Sequence, residues 1–215
     1  MTECLPCITG SSDSGQTYCS DCPAGRVLSN NICVDCDAGT WSSTGSASCA
    51  ECVIGRFSSK GSSSCTPCKT GTYGNLAAAR TTQTDACDAC LMGRYSQFTG
   101  LSSVDECALC PLGRWSQSVG ARSPDVCIAC EPGTSVATVG SNACDDCELG
   151  SFAPSQGSST CLLCPVGSFC DSSGGGVNKT ACPKGSQCPT EGRSTPQRCP
   201  SDTYQDRTGS VECKP

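Results

Sequence analysis

The sequence predicts a small, disulfide-rich, irregular β fold: a linear tandem array of short β-hairpin modules that forms an extended rod with very little helix. Three observations predict this class. Cysteine accounts for 25 of the 215 residues, a composition typical of disulfide scaffolds. Leu, Ile, Val and Phe together account for only 29 residues. One cysteine–glycine–aromatic pattern recurs at short intervals along nearly the whole chain, as in repeat proteins.

The aliphatic content is too low for an ordinary hydrophobic core. Those 29 residues are about 13% of the chain, and so few apolar side chains do not offset the conformational entropy lost on folding. Cross-links are the alternative, since closing a loop of about 15 residues stabilises by roughly 3 kcal/mol in the chain-entropy model. We therefore expect disulfides to replace the core.

The cysteine content also indicates an extracellular or cell-surface location, because so many thiols stay oxidised only outside the reducing cytosol. No apolar run approaches the roughly 20 residues that cross a bilayer, so we expect no membrane span in this segment. No signal peptide is visible at Met1, and the cysteine count is odd. We therefore expect a segment of a longer protein, with Cys4 paired upstream or free.

Ten Cys-x-x-Cys pairs follow one another with a period of 14 to 22 residues. A glycine stands three residues after the second cysteine of every pair, and we call these residues the frame glycines. An aromatic residue stands two positions beyond the frame glycine in seven modules, and Tyr204 holds the same place after Cys199. The frame glycines are Gly10, Gly25, Gly39, Gly55, Gly71, Gly93, Gly113, Gly133, Gly150 and Gly167, and the seven aromatics are Trp41, Phe57, Tyr73, Tyr95, Trp115, Phe152 and Phe169.

This pattern of cysteines, glycine and aromatic residue, which we call the frame, predicts the local structure of each module. A glycine at a fixed offset indicates a turn with positive φ or a close approach of two backbones. A ring beside each disulfide predicts a miniature core, which we favour over a ligand-binding aromatic ladder. A second glycine often follows in the loop, as at Gly45 and Gly120, so each module is expected to be a short hairpin. A helical turn is expected only at Asn75–Arg80.

The preferred disulfide scheme joins the second cysteine of each pair to the first cysteine of the next, so that each bond closes one hairpin. This scheme leaves Cys4 unpaired and thereby accounts for the odd count. The predicted bonds are Cys7–Cys19, Cys22–Cys33, Cys36–Cys49, Cys52–Cys65, Cys68–Cys87, Cys90–Cys107, Cys110–Cys127, Cys130–Cys144 and Cys147–Cys161, with Cys199–Cys213 near the end of the chain.

Other arrangements of the cysteines stay open. Bonds could join first to first and second to second cysteines across two repeats, or each Cys-x-x-Cys pair could close on itself, although that geometry is typical of redox sites. Two pairs 11 to 18 residues apart also match a four-cysteine zinc site. The absence of histidine and the single continuous period argue against zinc.

The spacing of the cysteines changes after Cys164. The partners of Cys164, Cys170, Cys182 and Cys188 are undecided, and a Ser/Gly-rich, linker-like stretch occupies residues 172–180. We therefore divide the chain into a regular array, residues 1–167, and modified C-terminal cysteine-rich modules, residues 168–215. Asp202 replaces the frame glycine in the last module, since Asp tolerates a left-handed conformation. Asn178 begins an N-glycosylation sequon in the linker-like stretch.

The frame resembles the ephrin-receptor-like cysteine-rich repeat, which is related in style to tumour necrosis factor receptor and furin-like modules. The segment from Cys49 to Ser58 reads CAECVIGRFS, and that from Cys107 to Ser116 reads CALCPLGRWS. The resemblance covers nearly the whole chain. It implies a tandem extracellular rod but no single activity, because such repeats occur in receptors, adhesion proteins and surface and flagellar-hair proteins.

The sequence offers little for catalysis, cofactors, metals or nucleic acid, and we predict no catalytic, cofactor-binding or metal site. Without histidine, the usual base for a serine or cysteine nucleophile is missing. Asp145, Asp146 and Glu148 form an acidic cluster whose spacing matches no calcium loop, so ordinary surface charge is the better interpretation. The net charge is −6 with Lys and Arg scattered singly, which is unlike a nucleic-acid-binding surface.

Two functions follow from these observations. The first is an extracellular structural repeat protein, a building block of a filament, a flagellar hair or a cell-surface coat, with each module contacting only its neighbours. Its partners are proteins, either further copies or neighbouring subunits, and attached glycans are expected. The second is the ectodomain or stalk of a cell-surface receptor or adhesion protein that binds a protein ligand.

Overall fold

Short disulfide-closed hairpins make up the chain in a computed structural model that describes residues 21–76, 80–171 and 176–215. Most strands have only two residues, because the extended segment around each aromatic position is short. The strands are β1 Arg26–Ser29, β2 Ile32–Asp35, β3 Thr40–Trp41, β4 Ala50–Glu51, β5 Arg56–Phe57, β6 Thr66–Pro67, β7 Thr72–Gly74, β8 Cys87–Ala89, β9 Arg94–Tyr95, β10 Ala108–Leu109, β11 Arg114–Trp115, β12 Ile128–Ala129, β13 Thr134–Ser135, β14 Asp145–Asp146, β15 Ser151–Phe152, β16 Leu162–Leu163, β17 Ser168–Phe169, β18 Thr180–Ala181, β19 Ser186–Gln187 and β20 Gln197–Arg198.

The strands pair in sequence order into ten two-stranded sheets, β1 with β2 through to β19 with β20. The register places the aromatic residue opposite the residue that follows the first cysteine of the next Cys-x-x-Cys pair. Trp41 faces Ala50 in this way, and Phe152 faces Leu162, both in antiparallel pairs. The small disulfide-rich, irregular β fold predicted from the sequence is therefore confirmed.

The chain divides into two compact units. The first comprises Met1–Leu91, Ser96–Ala108 and Gly120–Ser123, and the second comprises Met92–Tyr95, Leu109–Val119 and Pro124–Pro215. The division into residues 1–167 and 168–215 stays a prediction.

Helix is confined, in the part of the chain that the structure describes, to α1 at Gln83–Ala86 and two 3-10 turns at Val104–Glu106 and Pro124–Val126. The helical turn expected at Asn75–Arg80 falls partly on residues 77–79, which lie outside the described residues, and Arg80 itself is not helical. Helix α1 begins later because the Thr82 hydroxyl accepts a hydrogen bond from the Asp85 N–H at 3.3 Å.

The interior consists mainly of cystine sulfur. Of the twelve largest side chains that are almost completely buried, eleven are cysteines and one is Ser58. The rings at the aromatic position are only half-buried. The prediction that these rings form a miniature core is therefore wrong, because the buried residues are mainly cysteines. Each ring that packs on a buried cluster reaches the disulfide of the following hairpin. Phe57 packs on Cys68 and Cys87, and Tyr73 packs in the same way on Cys90 and Cys107.

Candidate functional site: the junctions between repeats

Disulfides define the repeats, which we name by their two cysteines. The structure joins the second cysteine of each pair to the first cysteine of the next, from Cys22–Cys33 through to Cys147–Cys161, and it also joins Cys199 to Cys213. These are the pairs of the preferred scheme. The predicted bond Cys7–Cys19 and the position of Cys4 lie outside the described residues.

Two bonds belong to cysteines whose partners the sequence left undecided. Cys164 pairs with Cys170 and Cys182 with Cys188, each across a separation of six residues. Every cysteine within residues 21–76, 80–171 and 176–215 is thus part of a disulfide. These cysteines accordingly form neither the interleaved scheme nor bonds within a Cys-x-x-Cys pair.

A ladder of main-chain hydrogen bonds joins neighbouring repeats. Its first bond starts at the frame glycine: Gly113 N–H donates to Val136 C=O at 3.0 Å, and Gly93 N–H donates to Ser116 C=O at 2.8 Å. The acceptor lies three residues after the next frame glycine or, for Gly185, after Asp202, which stands in the frame position. Because Gly185 follows Cys182 by three residues, it also counts as a frame glycine. The same bond forms from Gly25, Gly39, Gly71, Gly133, Gly150, Gly167 and Gly185.

Two further bonds complete most junctions and use the second glycine of the loop, which we call the loop glycine. Ser116 N–H donates to the C=O of Ser141, the residue after loop glycine Gly140, at 3.1 Å. Gly140 N–H itself donates to Cys110 C=O at 2.8 Å. A complete junction thus has three bonds between main-chain groups, so it depends on the spacing of the frame and not on particular side chains. The loop glycines are Gly45, Gly61, Gly100, Gly120, Gly140, Gly157, Gly176, Gly192 and Gly209.

The frame glycines also contact the repeat after next. Gly93 has φ +73°, and a Cβ added there would lie 1.9 Å from the carbonyl oxygen of Gly140. Only glycine satisfies both the left-handed conformation and this close approach. A Cβ would lie 2.0–2.5 Å from a carbonyl of the repeat after next at Gly25, Gly55, Gly71, Gly113, Gly150 and Gly167. The expectation that each module contacts only its neighbours is therefore wrong.

Arg80 completes the ladder where a loop glycine is absent. The repeat Cys68–Cys87 has no glycine in the loop position, and the Arg80 guanidinium Nη1 donates to Cys52 C=O instead of a main-chain N–H. Arg80 C=O accepts from Ser58 N–H at 3.1 Å, as the residue after a loop glycine does elsewhere. This role of Arg80 was not predicted from the sequence, although the absence of a loop glycine from this repeat is visible there.

The remaining candidate residues lie at the surface. Asn178 is exposed, just before strand β18, and Thr180 of its sequon is exposed as well. Asp145 and Asp146 form strand β14 and are exposed. In the described ranges, no group of three His, Cys, Asp or Glu residues is arranged to hold a metal ion.

One carboxylate near the C-terminus has a clear electrostatic partner. Lys214 Nζ lies 2.6 Å from the Asp206 carboxylate and 5.8 Å from the centre of the Tyr204 ring. The hydrogen bond from Lys214 lowers the pKa of Asp206 below its ordinary value of 3.8. In the same direction, hydrogen bonds from Thr81 and Thr82 lower the pKa of Asp85. Both groups are exposed, and these interactions organise local turns.

Comparison with known families gives the repeats a name. A family model described as tyrosine-protein kinase ephrin type A/B receptor-like matches residues 55–107 and 133–182. These two segments are ephrin-receptor-like cysteine-rich repeats. Together they cover just under half of the chain, and no curated protein matches the chain.

The ephrin-receptor-like repeats and the many disulfides both indicate an extracellular module of the kind found in receptors. No helix in the described part of the chain has the length and apolar character required to span a bilayer. The arrangement around each junction consists of amides, carbonyls and oxidised sulfur. Such groups hold repeats together.

Proposed function

We propose that the chain is a structural element of an extracellular assembly, such as a filament, a flagellar hair or a cell-surface coat. The observation that carries the proposal is the ladder: complete junctions are made by three main-chain bonds and by frame glycines that touch the repeat after next. Repeats locked to two successors resist bending better than repeats locked to one. This construction suits a molecule whose task is to hold other parts at a distance.

A second function is supported by the family match. Ephrin-receptor-like repeats in residues 55–107 and 133–182 favour the ectodomain or stalk of a cell-surface receptor or adhesion protein. The partner in that case is a protein ligand. We rank it second because it needs a recognition surface of particular side chains, whereas the junctions described above need none.

The proposal assigns no catalytic activity to the chain. The sequence has no histidine, and the cysteines of the described part are all oxidised, so neither the usual general base nor a thiolate nucleophile is supplied by them. Glycans are expected on the exposed Asn178. A mass shift on enzymatic removal of N-glycans, absent in Asn178→Gln, tests that modification.

Electron microscopy of the native material tests the proposal. Antibodies against the chain should label ordered filaments, hairs or a continuous surface layer. Isolated copies standing singly at a membrane would contradict the structural function and favour the receptor. An antibody against an unrelated surface protein of the same cells is the control for non-specific labelling.

A further inference from the structure

Three successive hairpins of the second compact unit differ in the character of their outer edge. We use this term for the two residues on either side of the second cysteine of a Cys-x-x-Cys pair, a place that Cys182 holds in its own repeat. Residues 145–149 read DDCEL, residues 162–166 read LLCPV and residues 180–184 read TACPK, with Lys179 directly before them. We call these segments the acidic, the apolar and the basic edge.

The apolar edge lies between the other two in the order of the ladder. Gly150 directly follows the acidic edge and donates to Cys170 C=O of the next repeat at 3.0 Å. Gly167 directly follows the apolar edge and donates in the same way to Cys188 C=O at 2.9 Å. Because the same bond is made at both steps, the acidic and the basic edge lie one equivalent step away from the apolar edge, on opposite sides of it.

The apolar edge exposes large side chains. Leu162 and Leu163, which form strand β16, are 54% and 63% exposed, and Val166 is 50% exposed. Three neighbouring aliphatic side chains that are at least half accessible to water are a feature of surfaces that bind another molecule.

The hairpin itself does not require leucine at this edge. Leu162 faces Phe152 across the two strands. In the hairpin of the basic edge, Thr180 faces Phe169 in the same register. A small polar residue is therefore sufficient opposite the ring, and the exposed leucines are available for another role.

The edges on either side carry opposite charges. Asp145, Asp146 and Glu148 of the acidic edge are exposed, and that edge contains no Lys or Arg. Lys179 and Lys184 at the basic edge are exposed as well, without an acidic residue beside them. The three edges thus present negative charge, apolar surface and positive charge in this order.

We infer that the apolar edge binds the apolar edge of a second copy of the chain about a two-fold axis. Such an axis places the acidic edge of each copy opposite the basic edge of the other. The contact is isologous: it buries the leucines of both copies and pairs opposite charges at both ends. The next edges outward follow the same order, since exposed Glu131 lies on the acidic side and exposed Arg198 on the basic side.

The partner is a second copy because the charges of this surface are complementary to the surface itself when it is turned by half a revolution. The inference goes beyond the proposed function and does not rest on it, since a two-fold pair of chains is compatible with a structural assembly and with a receptor ectodomain. It specifies a closed contact between two copies.

Sedimentation equilibrium tests the inference on full-length chains that carry Asn178→Gln, so that no glycan adjoins Lys179. The mass of this parent chain should rise reversibly with concentration to twice that of the monomer. Leu162→Thr with Leu163→Ala gives the apolar edge the residues of the basic edge, and this variant should stay monomeric with its thermal transition retained. Val53→Thr is the matched control: Val53 is 66% exposed in another edge, and its variant should associate like the parent chain.

Charge reversal tests whether the partner is a second copy. Asp145→Lys with Asp146→Lys places lysines opposite the basic edge of the partner, and Lys179→Glu with Lys184→Glu places like charges at the same two contacts. Each variant alone should raise the Kd of the dimer by about tenfold or more at low salt, and by less at high salt. An equimolar mixture of the two should pair again, because opposite charges then face each other at both ends.

Asp37→Lys with Glu51→Lys is the control for net charge, since it changes the charge of the chain equally at exposed positions outside these edges. Its Kd should match that of the parent chain. A parent chain that stays monomeric, a Leu162→Thr/Leu163→Ala variant that pairs like the parent, or reversed variants that do not pair when mixed would each overturn the inference. The structural function is tested separately, by the microscopy described above.

Discussion

At the scale of the residue, glycine has two separable tasks in this chain. It allows a left-handed backbone, and it leaves room for the carbonyl of the repeat after next. Gly93 has both tasks, since a Cβ there would lie 1.9 Å from Gly140 O, whereas Gly185 has only the first. The two positions have nearly the same φ, +73° and +75°, so they form a matched pair.

Alanine at these two positions should separate the tasks. Gly185→Ala should lower the free energy of unfolding by about 1–2 kcal/mol, the usual cost of a left-handed non-glycine residue. Gly93→Ala should cost clearly more, because the main chain must move to relieve the overlap. Thermal unfolding without reductant at low protein concentration measures both. Equal losses in the two variants would contradict the role of the close approach.

Arg80 provides a second test at this scale. Arg80→Met keeps the length of the side chain but removes the donor to Cys52 C=O, which leaves that carbonyl without its ladder partner. A loss of about 1–3 kcal/mol is expected for a hydrogen bond from a charged group to a carbonyl in a partly buried place.

Hydrogen exchange at Ser58 N–H, which donates to Arg80 C=O, should report the same change locally. The control is Arg207→Met, the same substitution at an exposed arginine, which should change neither stability nor exchange at Ser58. Retained protection of Ser58 in Arg80→Met would show that Nη1 is not needed for this junction.

The role of Arg80 could not be predicted from the sequence, for a physical reason. The repeat pattern shows that Cys68–Cys87 lacks a loop glycine, but which group replaces it depends on where the longer loop places its side chains. The frame glycines were predictable as turn or close-contact positions. The partner of each close contact was not, because it lies two repeats away.

At the scale of the element, the hairpin and its disulfide were predictable together. A bond from the second cysteine of one pair to the first of the next closes a loop of the length that a short hairpin needs, and it accounts for the odd cysteine count. The six-residue loops Cys164–Cys170 and Cys182–Cys188 were not predictable, since any pairing of these four cysteines satisfies the count. Helix α1 was missed because its start depends on the Thr82 hydroxyl, which accepts a hydrogen bond from the Asp85 N–H, and not on a pattern of apolar residues.

The C-terminal hairpin should be sensitive to acid. The Lys214 hydrogen bond lowers the pKa of Asp206 below 3.8 in the folded chain. The contribution of this carboxylate to stability is therefore complete above the unfolded pKa and is lost as the pH falls through the lower, folded value. Asp206→Asn removes the titrating group.

The difference in melting temperature between the wild type and Asp206→Asn should accordingly be constant above pH 3.8 and shrink below it. An NMR titration of the Asp206 carboxyl should give a midpoint below 3.8. A midpoint at or above this value would contradict the pairing with Lys214. Asp202→Asn, at an exposed position without such a partner in the described residues, is the control for general effects of acid.

At the scale of the whole molecule, the frame glycines contact the repeat after next, and this contact determines how far the effect of a local defect spreads. In a stack whose members touch only their neighbours, stability is a sum of repeat and nearest-neighbour terms. Here each repeat also supports the one after next, so the loss of one repeat should weaken two on either side. The extended rod itself stays a prediction, which small-angle scattering of the monomer tests directly.

Removal of the disulfide Cys147–Cys161, by changing both cysteines to serine, should show this reach. The bond closes a hairpin with a sequence separation of 14 residues, and its loss costs about 3 kcal/mol in the chain-entropy model. Gly133 N–H, which donates to Ala153 C=O, and Val136 N–H, which donates to Ser158 C=O, should lose protection from hydrogen exchange. Gly185 N–H, which donates to Gln205 C=O and belongs to the repeat after next, should lose protection as well, whereas Tyr204 N–H, which donates to Lys214 C=O in the repeat after that, should keep it. Loss of protection throughout residues 124–215 would mean that the second unit unfolds as one cooperative body. Loss only inside the hairpin would mean that the ladder does not couple the stability of one repeat to that of its neighbours. Between these two results, a defect that spreads two repeats and stops is what the contacts between frame glycines and loops require.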